Sequence, residues 1–165
     1  MNIQRISRHL LMTEWQVKRA FPRDALAAIA NAIKTSETRH GGEIRFAVEG
    51  ALHSAALFKA QSARERAIEV FANLHIWDTE HNNGVLIYLL LADRDVEIVA
   101  DRGVHVKVGA HEWESICRGM EAAFGQAKYQ QGVVSGIEAV ARHLEIHFPA
   151  RRGRANELPD KPVVM

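Results

Sequence analysis

The sequence has little cysteine and no long hydrophobic run. Its single cysteine, Cys117, excludes a disulfide within the chain, which suits a reducing compartment. The longest apolar stretch, Gly84 to Ala92, has the length of a strand, well short of the about 20 residues that a membrane-spanning helix needs. Charged residues interrupt the first 21 positions, so no signal-peptide segment is recognisable there. The sequence therefore predicts a soluble, cytoplasmic protein without a membrane span.

Motifs for nucleophilic or phosphoryl-transfer chemistry are also missing. The sequence has no phosphate-binding loop of the GxxxxGK[ST] type and no GxSxG nucleophile turn. Cys117 has apolar neighbours at helical spacing, such as Ile116 and Met120, which indicates a small core residue. No motif therefore identifies a reaction.

Charge is nearly balanced overall but unevenly distributed. The 165 residues carry a net charge of +1, in which residues 1–23 hold +4, residues 149–165 hold +2 and the middle holds −5. Basic ends of this kind are usually solvated or lie against acidic surface, of the same chain or of a neighbour. Nucleic acid is not favoured as a partner because basic and aromatic residues do not interleave.

Hydrophobic periodicity predicts alternating helices and strands. EIRFAVE at 43–49 alternates as a strand does, whereas GVLIYLLL at 84–91 is apolar on both faces, as in a strand covered on both sides. The predicted helices are 5–19 (with Ile6, Leu10 and Val17 buried), 23–39, 56–74 (with Ile68 among its buried residues), 110–125 and 131–147; strands are 43–49, 84–91 and 96–100, with an irregular or strand-like 104–108.

The order of these elements predicts a three-layer α/β/α sandwich. A strand, a long helix and a buried strand imply a right-handed parallel crossover, and the short Ala92–Arg94 connection implies an antiparallel hairpin. The small sheet is therefore mixed, with helices on both faces. We expect an N-terminal amphipathic helix at 1–22, an α/β domain at 23–148, and a basic, proline-containing tail at 149–165 that is extended or partly disordered.

Two segments carry a family resemblance. The first is ETRHGGEIRFAVE, from Glu37 to Glu49, and the second is HNNGVLIYLLLADRDVEIVADRGV, from His81 to Val104. A helix that ends in Phe71, followed by Trp77, lies between them. In this order, and over about residues 24–147, the sequence resembles the TPM-domain family, named after thylakoid, phosphatase and membrane proteins.

The resemblance implies an α/β/α fold and, in some members, a bound divalent cation. Many members carry a signal peptide and a transmembrane anchor, and a thylakoid-lumen relative is regarded as an acid phosphatase. This chain departs in lacking both hydrophobic segments, and Asp101-Arg102-Gly103 stands where the family usually has a glycine-rich turn. Phosphatase activity is therefore an expectation that only the resemblance supplies.

Oxygen-bearing side chains indicate a site for Ca²⁺ or Mg²⁺, which prefer oxygen ligands. Pairing of the second and third strands would bring Asp101 beside the loop DTEHNNG at 78–84. The predicted metal ligands at this end of the sheet are Asp78, Glu80, Asn83 and Asp101, with Asn82 in the same turn. The competing interpretation is that these residues only hydrogen-bond their own turns.

Two other groups of residues are weaker candidates for metal or ligand binding. At the carboxyl ends of the parallel strands, where such sheets usually bind ligands, Glu49, His53 and Ser54 could meet Asp93, Arg94 and Asp95. His143 and His147 stand four residues apart on a predicted helix, a spacing that suits zinc, but no third ligand is evident.

The preferred function is a non-catalytic interaction or metal-binding module of the TPM type. The alternative is a divalent-metal-dependent phosphatase acting on phosphate esters, in which the cation polarises the phosphoryl oxygen. The partner would be an unidentified protein or a second copy of the chain.

Overall fold

The computed structural model describes residues 3–151, 153 and 155–165. Arg152 and Arg154, two basic residues of the predicted tail, lie outside the described residues, as do Met1 and Asn2. Within the described part, no helix is both long and apolar enough to cross a membrane.

The described residues form eight helices and four strands. The helices are α1 (Ile3–Leu11), α2 (Glu14–Ala20), α3 (Arg23–Glu37), α4 (Ser54–Phe58), α5 (Ala63–Asn73), α6 (Arg102–His105), α7 (Ala110–Gly125) and α8 (Tyr129–His147); the strands are β1 (Glu43–Glu49), β2 (Gly84–Leu90), β3 (Asp95–Ala100) and β4 (Val163–Val164).

The strands form one mixed sheet in the order β3-β2-β1-β4. β1 and β2 are parallel, with Glu43 opposite Gly84, and β2 and β3 are antiparallel, with Val85 opposite Ala100. The predicted parallel crossover and antiparallel hairpin are therefore confirmed, and the segments 43–49 and 84–91 lie on adjacent strands.

Helices cover both faces of the sheet, and β2 is therefore buried along its whole length. On one face, Val85, Ile87 and Leu89 pack in a core with residues of α3, α7 and α8. On the other face, Leu86, Tyr88 and Leu90 pack with residues of α4 and α5. The predicted three-layer α/β/α sandwich is confirmed.

The C-terminal tail, expected to be extended or partly disordered, adds a strand to the sheet. β4 pairs in parallel with β1, with Ala47 opposite Val163, and Met165 N donates to Val48 O at 2.9 Å. The buried carboxylate of Glu43 accepts hydrogen bonds from the backbone N–H groups of Glu157 and Leu158, both at 3.2 Å. Buried polar groups of β1 thus hold a segment whose own sequence has little strand pattern.

The N-terminal segment is two helices rather than the single helix predicted for 5–19. Thr13 caps α2 by accepting a hydrogen bond from Gln16 N, and the Gln16 side chain accepts one from Thr13 N, so the chain turns between α1 and α2. Val17 is buried and Ile6 is partly buried, as predicted. Leu10 is exposed, so its predicted burial was wrong, because Arg5 and His9 occupy the inward side of α1.

Two further predictions were wrong in their details. The helix predicted for 56–74 is divided, because Ser62 caps α5 and separates it from the short α4; Ile68, predicted to be buried, is half exposed. The segment 104–108, predicted to be irregular or strand-like, begins within α6, which Asp101 caps through its side chain.

We expect removal of the C-terminal segment to destabilise the whole domain. Ending the chain after Asn156 removes β4, exposes the surface that Leu158 covers and leaves Glu43 without two donors. The free energy of unfolding, measured by urea titration, should fall by about 3 kcal/mol. Val164→Ser changes an exposed side chain of β4 and should alter it by less than about 1 kcal/mol. Equal stability of the truncated and full chains would show that the tail contributes nothing.

Candidate functional site

Two turns meet at the end of the sheet where β1 and β2 begin, which we call the amino pole. The loop 78–83 precedes β2, and the turn 101–103 follows β3. Asp101 N donates to Gly84 O at 2.9 Å, and Gly103 N donates to Asn82 O at 3.0 Å. Arg102 Nε donates to Asn82 Oδ1 at 3.1 Å. The strand register therefore brings the two predicted ligand segments side by side.

Glycine is required where these turns approach each other. A Cβ added to Gly103 would lie 2.5 Å from Asn82 O, closer than real Cβ contacts allow, and one on Gly84 would collide with Ile76 O. Asn82 has a φ of +50°, a left-handed conformation that asparagine tolerates better than most residues. These residues fix the geometry of the amino pole.

Asn83 and Asp101 each hold one buried oxygen without a hydrogen-bond donor in the described part of the chain. Asn83 is 1% exposed; its Nδ2 donates to Gly41 O at 2.7 Å, and its Oδ1 accepts no hydrogen bond. Asp101 is 9% exposed; its Oδ1 accepts from Arg102 N at 2.7 Å, and its Oδ2 accepts none. Buried oxygens that accept no hydrogen bond carry a free-energy cost that a cation or water could offset.

The other two predicted ligands, Asp78 and Glu80, are exposed. Glu80 N donates to Glu157 Oε2 at 2.8 Å, so the tail also reaches this pole. Among the described residues, no group of three or more His, Cys, Asp or Glu side chains is arranged to hold a metal ion. A cation here would therefore have few protein ligands and would keep much of its hydration.

A cavity of about 560 Å³ opens at the amino pole. Glu80 and Asn83 line it together with the cationic side chains of Lys107 and Arg151. Lys107 Nζ lies 3.4 Å from His147 O and 4.3 Å from the centre of the Phe148 ring. His81 and Glu157 are also among the residues that line the cavity.

The opposite end of β1 and β2, the carboxyl pole, holds a closed ion pair. Glu49 accepts two hydrogen bonds from Arg66, at 2.8 and 3.1 Å, and one from the Tyr88 hydroxyl at 2.7 Å. Hydrogen bonding to Glu49 raises the pKa of Arg66, and burial, with the same carboxylate, raises the pKa of Tyr88. Because all three groups satisfy one another, Glu49 is engaged in a structural interaction rather than free for a ligand.

Asp93 connects the β2–β3 turn to the N-terminal helix. Its carboxylate lies 2.8 Å from Arg5 Nε, 3.3 Å from Arg8 Nη2 and 3.1 Å from His9 Nε2. His9 Nδ1 accepts a hydrogen bond from Leu52 N at 3.1 Å, so Nε2 carries the proton that faces Asp93 when the ring is neutral. These contacts of Asp93 do not include His53 and Ser54, the residues predicted to lie beside it. His53 Nδ1 caps α4 instead, and Ser54 is exposed.

A wider cleft of about 1,200 Å³ lies beside this turn, and our sequence interpretation missed it. α1 and α2 form one wall, the start of α8 forms another, and Leu91 and Ala92 follow β2 between them. Four cationic side chains and no carboxylate line the cleft: Arg8, Arg19, Arg94 and Lys128. The uneven charge of the N-terminal segment was the signal that could have indicated it.

The two helical histidines do not form a metal site in the structure. His143 packs edge-on against Trp113, with ring centres 5.6 Å apart, and its Nε2 lies 3.9 Å from Glu112 Oε2. His147 lines the amino-pole cavity instead.

Comparison with known proteins indicates one family. A family model described as the TPM domain matches residues 18–143. The structure is similar to the NMR structure of the BA42 protein from the psychrophilic bacterium Bizionia argentinensis, with a TM-score of 0.76 and 30% sequence identity, covering 86% of this chain and 93% of that one. No curated protein shows significant sequence similarity to the chain.

Two more distant structures share the fold. The N-terminal domain of a protein from P. gingivalis aligns with a TM-score of 0.63 at 14% identity, over 86% of this chain and 95% of that one. The N-terminal domain of the cg2496 protein from Corynebacterium glutamicum aligns with a TM-score of 0.54 at 11% identity, over 74% and 72%.

Asp95, a candidate ligand-binding residue at the carboxyl pole, should make the stability of the protein depend on pH. Burial, and then the nearby carboxylates of Glu97 and Glu121, raise its pKa from 3.8 to about 6. The folded state therefore holds this proton more tightly, so its contribution to stability is full below pH 3.8 and is lost as pH rises to about 6. Asp95→Asn should increase the free energy of unfolding at neutral pH by about 1 kcal/mol, allowing for solvent screening.

Chemical denaturation of both proteins at acid and neutral pH measures this effect. Asp24→Asn, on the exposed first turn of α3, is the matched control for the loss of one carboxylate charge. If Asp95→Asn has the same pH dependence as the unmodified chain, the pKa of Asp95 is not raised.

Proposed function

The chain belongs to the TPM-domain family, and on that premise we propose that it is a non-catalytic module that binds a hydrated divalent cation weakly at the amino pole. Asn83 and Asp101 are the principal ligands in this proposal, and Glu80 and Asp78 are outer ones. The observation that carries the proposal is the pair of buried oxygens, Asn83 Oδ1 and Asp101 Oδ2, that accept no hydrogen bond from described residues.

The chemistry of these oxygens suits Mg²⁺ or Ca²⁺. Both cations prefer carboxylate and amide oxygens, and Mg²⁺ in particular keeps several waters and takes one or two protein carboxylates. The two ligand segments are joined by backbone hydrogen bonds, so little backbone ordering is needed when a cation binds. The small number of protein oxygens argues for weak binding.

The environment of Cys117 supports the non-catalytic part of the proposal. Burial, and then the carboxylates of Glu97 and Glu121, raise the pKa of its thiol to about 12. Because the thiolate is the nucleophilic form, this raised pKa argues against Cys117 as a catalytic nucleophile. The amide N–H of Ile98 also hydrogen-bonds this residue, which ties it to β3.

Calorimetric titration with MgCl₂ and CaCl₂ after chelator treatment tests the cation site. Asp101→Asn keeps Oδ1 as the acceptor for Arg102 N and replaces the unpartnered Oδ2 with an amide nitrogen, so it should remove the binding heat without unfolding the turn. Asp24→Asn removes an equal charge from α3 and should bind as the unmodified chain does. Absence of heat in the unmodified chain, or equal heat in Asp101→Asn, would refute the proposal.

One observation favours metal-dependent hydrolysis of phosphate esters as a second candidate. The amino-pole cavity brings Lys107, His147 and Arg151 together with Asn83 and Glu80, and cationic groups beside a metal can stabilise the charge of a transferring phosphoryl group. Under the preferred proposal, an aryl phosphate with Mg²⁺ is turned over no faster than in buffer. Turnover that disappears in Asp101→Asn would select the hydrolase instead.

A further inference from the structure

The polarity of α1 is inverted relative to its position on the domain. Its inward side carries Arg5 and His9, with side chains 20% and 0% exposed, both directed at Asp93. A helix packed on a globular core usually turns its apolar residues inward and its charged residues outward. Here the Asp93 carboxylate stabilises the polar inward side, so Ile3, Leu10 and Leu11 are left on the outside, whereas Ile6 is partly buried.

Exposed apolar side chains lie on both N-terminal helices. Ile3 and Leu10 are seven residues apart and therefore lie within about 20° of each other around the helix, and Leu11 is the next residue along. Their exposed fractions are 76%, 66% and 73%, and Trp15 at the start of α2 is 65% exposed. We call these four residues, Ile3, Leu10, Leu11 and Trp15, the N-terminal patch.

Cations lie beside Trp15, the member of the N-terminal patch on α2. Arg19 lies over the Trp15 ring, 5.3 Å from its centre. Trp15 lines the cleft of the carboxyl pole with Arg8, Arg19, Arg94 and Lys128. In the part of the chain that the structure describes, Arg19, Arg94 and Lys128 have no carboxylate within ion-pair distance.

We infer that the N-terminal patch, together with the cationic side chains beside Trp15, docks the protein on the surface of an anionic lipid membrane. Exposed leucine, isoleucine and tryptophan side chains enter the boundary between headgroups and acyl chains, and arginine and lysine side chains pair with lipid phosphates. Tryptophan beside arginine is the composition found at membrane interfaces. The helices lie on the surface in this arrangement and do not cross it.

Charge distinguishes a membrane from a second copy as the occupant. In a symmetric dimer built on this patch, the cations of one copy would face the same cations of the other, which is unfavourable. An anionic lipid surface supplies the opposite charge, and it supplies an apolar layer for the four side chains at the same time.

Flotation with lipid vesicles tests the inference on the full chain. The protein should float with vesicles of phosphatidylcholine mixed with phosphatidylglycerol, and it should stay unbound with phosphatidylcholine alone. Added salt should weaken binding, whereas inorganic phosphate at equal ionic strength should have no further effect. Tryptophan fluorescence should shift to shorter wavelength with anionic vesicles, and Trp15→Phe should abolish that shift, since Trp77 and Trp113 lie outside the patch.

Surface variants with matched controls separate the patch from general stickiness. The double variant Leu10→Asn, Leu11→Asn should bind anionic vesicles about tenfold more weakly or worse. Val106→Asn and Ile146→Asn change side chains that are 77% and 71% exposed elsewhere and should bind normally. Arg19→Gln should weaken binding about fivefold, and Lys34→Gln, an exposed charge in the last turn of α3, should leave binding unchanged. Circular dichroism confirms that each variant is folded.

Three outcomes would overturn the inference. The first is no binding of the unmodified chain to anionic vesicles. The second is binding that the double variant retains or that both control variants lose equally. The third is a dimer in light scattering that the double variant converts to monomer without any lipid binding, which would make the patch a self-association surface.

Discussion

Burial of β2 on both of its faces is the constraint on which the rest of the structure depends. A strand of this kind cannot be covered by one layer, so α3, α7 and α8 cover one side, and α4 and α5 cover the other. The edges are then closed by side chains and by the tail. Glu121 accepts from Val96 N at 3.1 Å, and Arg64 Nη1 donates to Ile98 O at 2.5 Å, which occupies part of the outer edge of β3.

The same strands give the two poles of the sheet different chemistry. At the amino pole, the turns on either side of the β2–β3 pair approach so closely that Gly103 cannot carry a side chain, and two oxygens are left without donors in the described part of the chain. At the carboxyl pole, Glu49 and Asp93 are already engaged by basic residues. These two carboxylates are therefore neutralised, and the remaining cations of the cleft dominate its surface charge.

Local patterns predicted the centre of the molecule better than its ends. The alternation of 43–49, the continuous apolarity of 84–91 and the short connection after it were sufficient to predict the three strands β1 to β3 and the meeting of Asp101 with the loop 78–83. β4 was missed because two residues carry no periodicity and its anchor, the contact of Glu43 with Leu158, joins residues 115 positions apart. The break in the N-terminal helix was readable, since Thr13 and Gln16 have the spacing of a capping box.

The β2–β3 hairpin separates the two candidate surfaces and keeps them independent. Asp93 precedes β3 and anchors α1, whereas Asp101 follows β3 and belongs to the amino pole. β3 has six residues, so the two aspartates lie about 20 Å apart along the strand, since each residue adds about 3.3 Å. A cation bound near Asp101 therefore cannot bridge to a lipid held by the N-terminal patch. The inverted polarity of α1 therefore has its cause at the carboxyl pole and not at the amino pole. In natural proteins, departures of this kind from the usual core pattern are concentrated at surfaces that function requires.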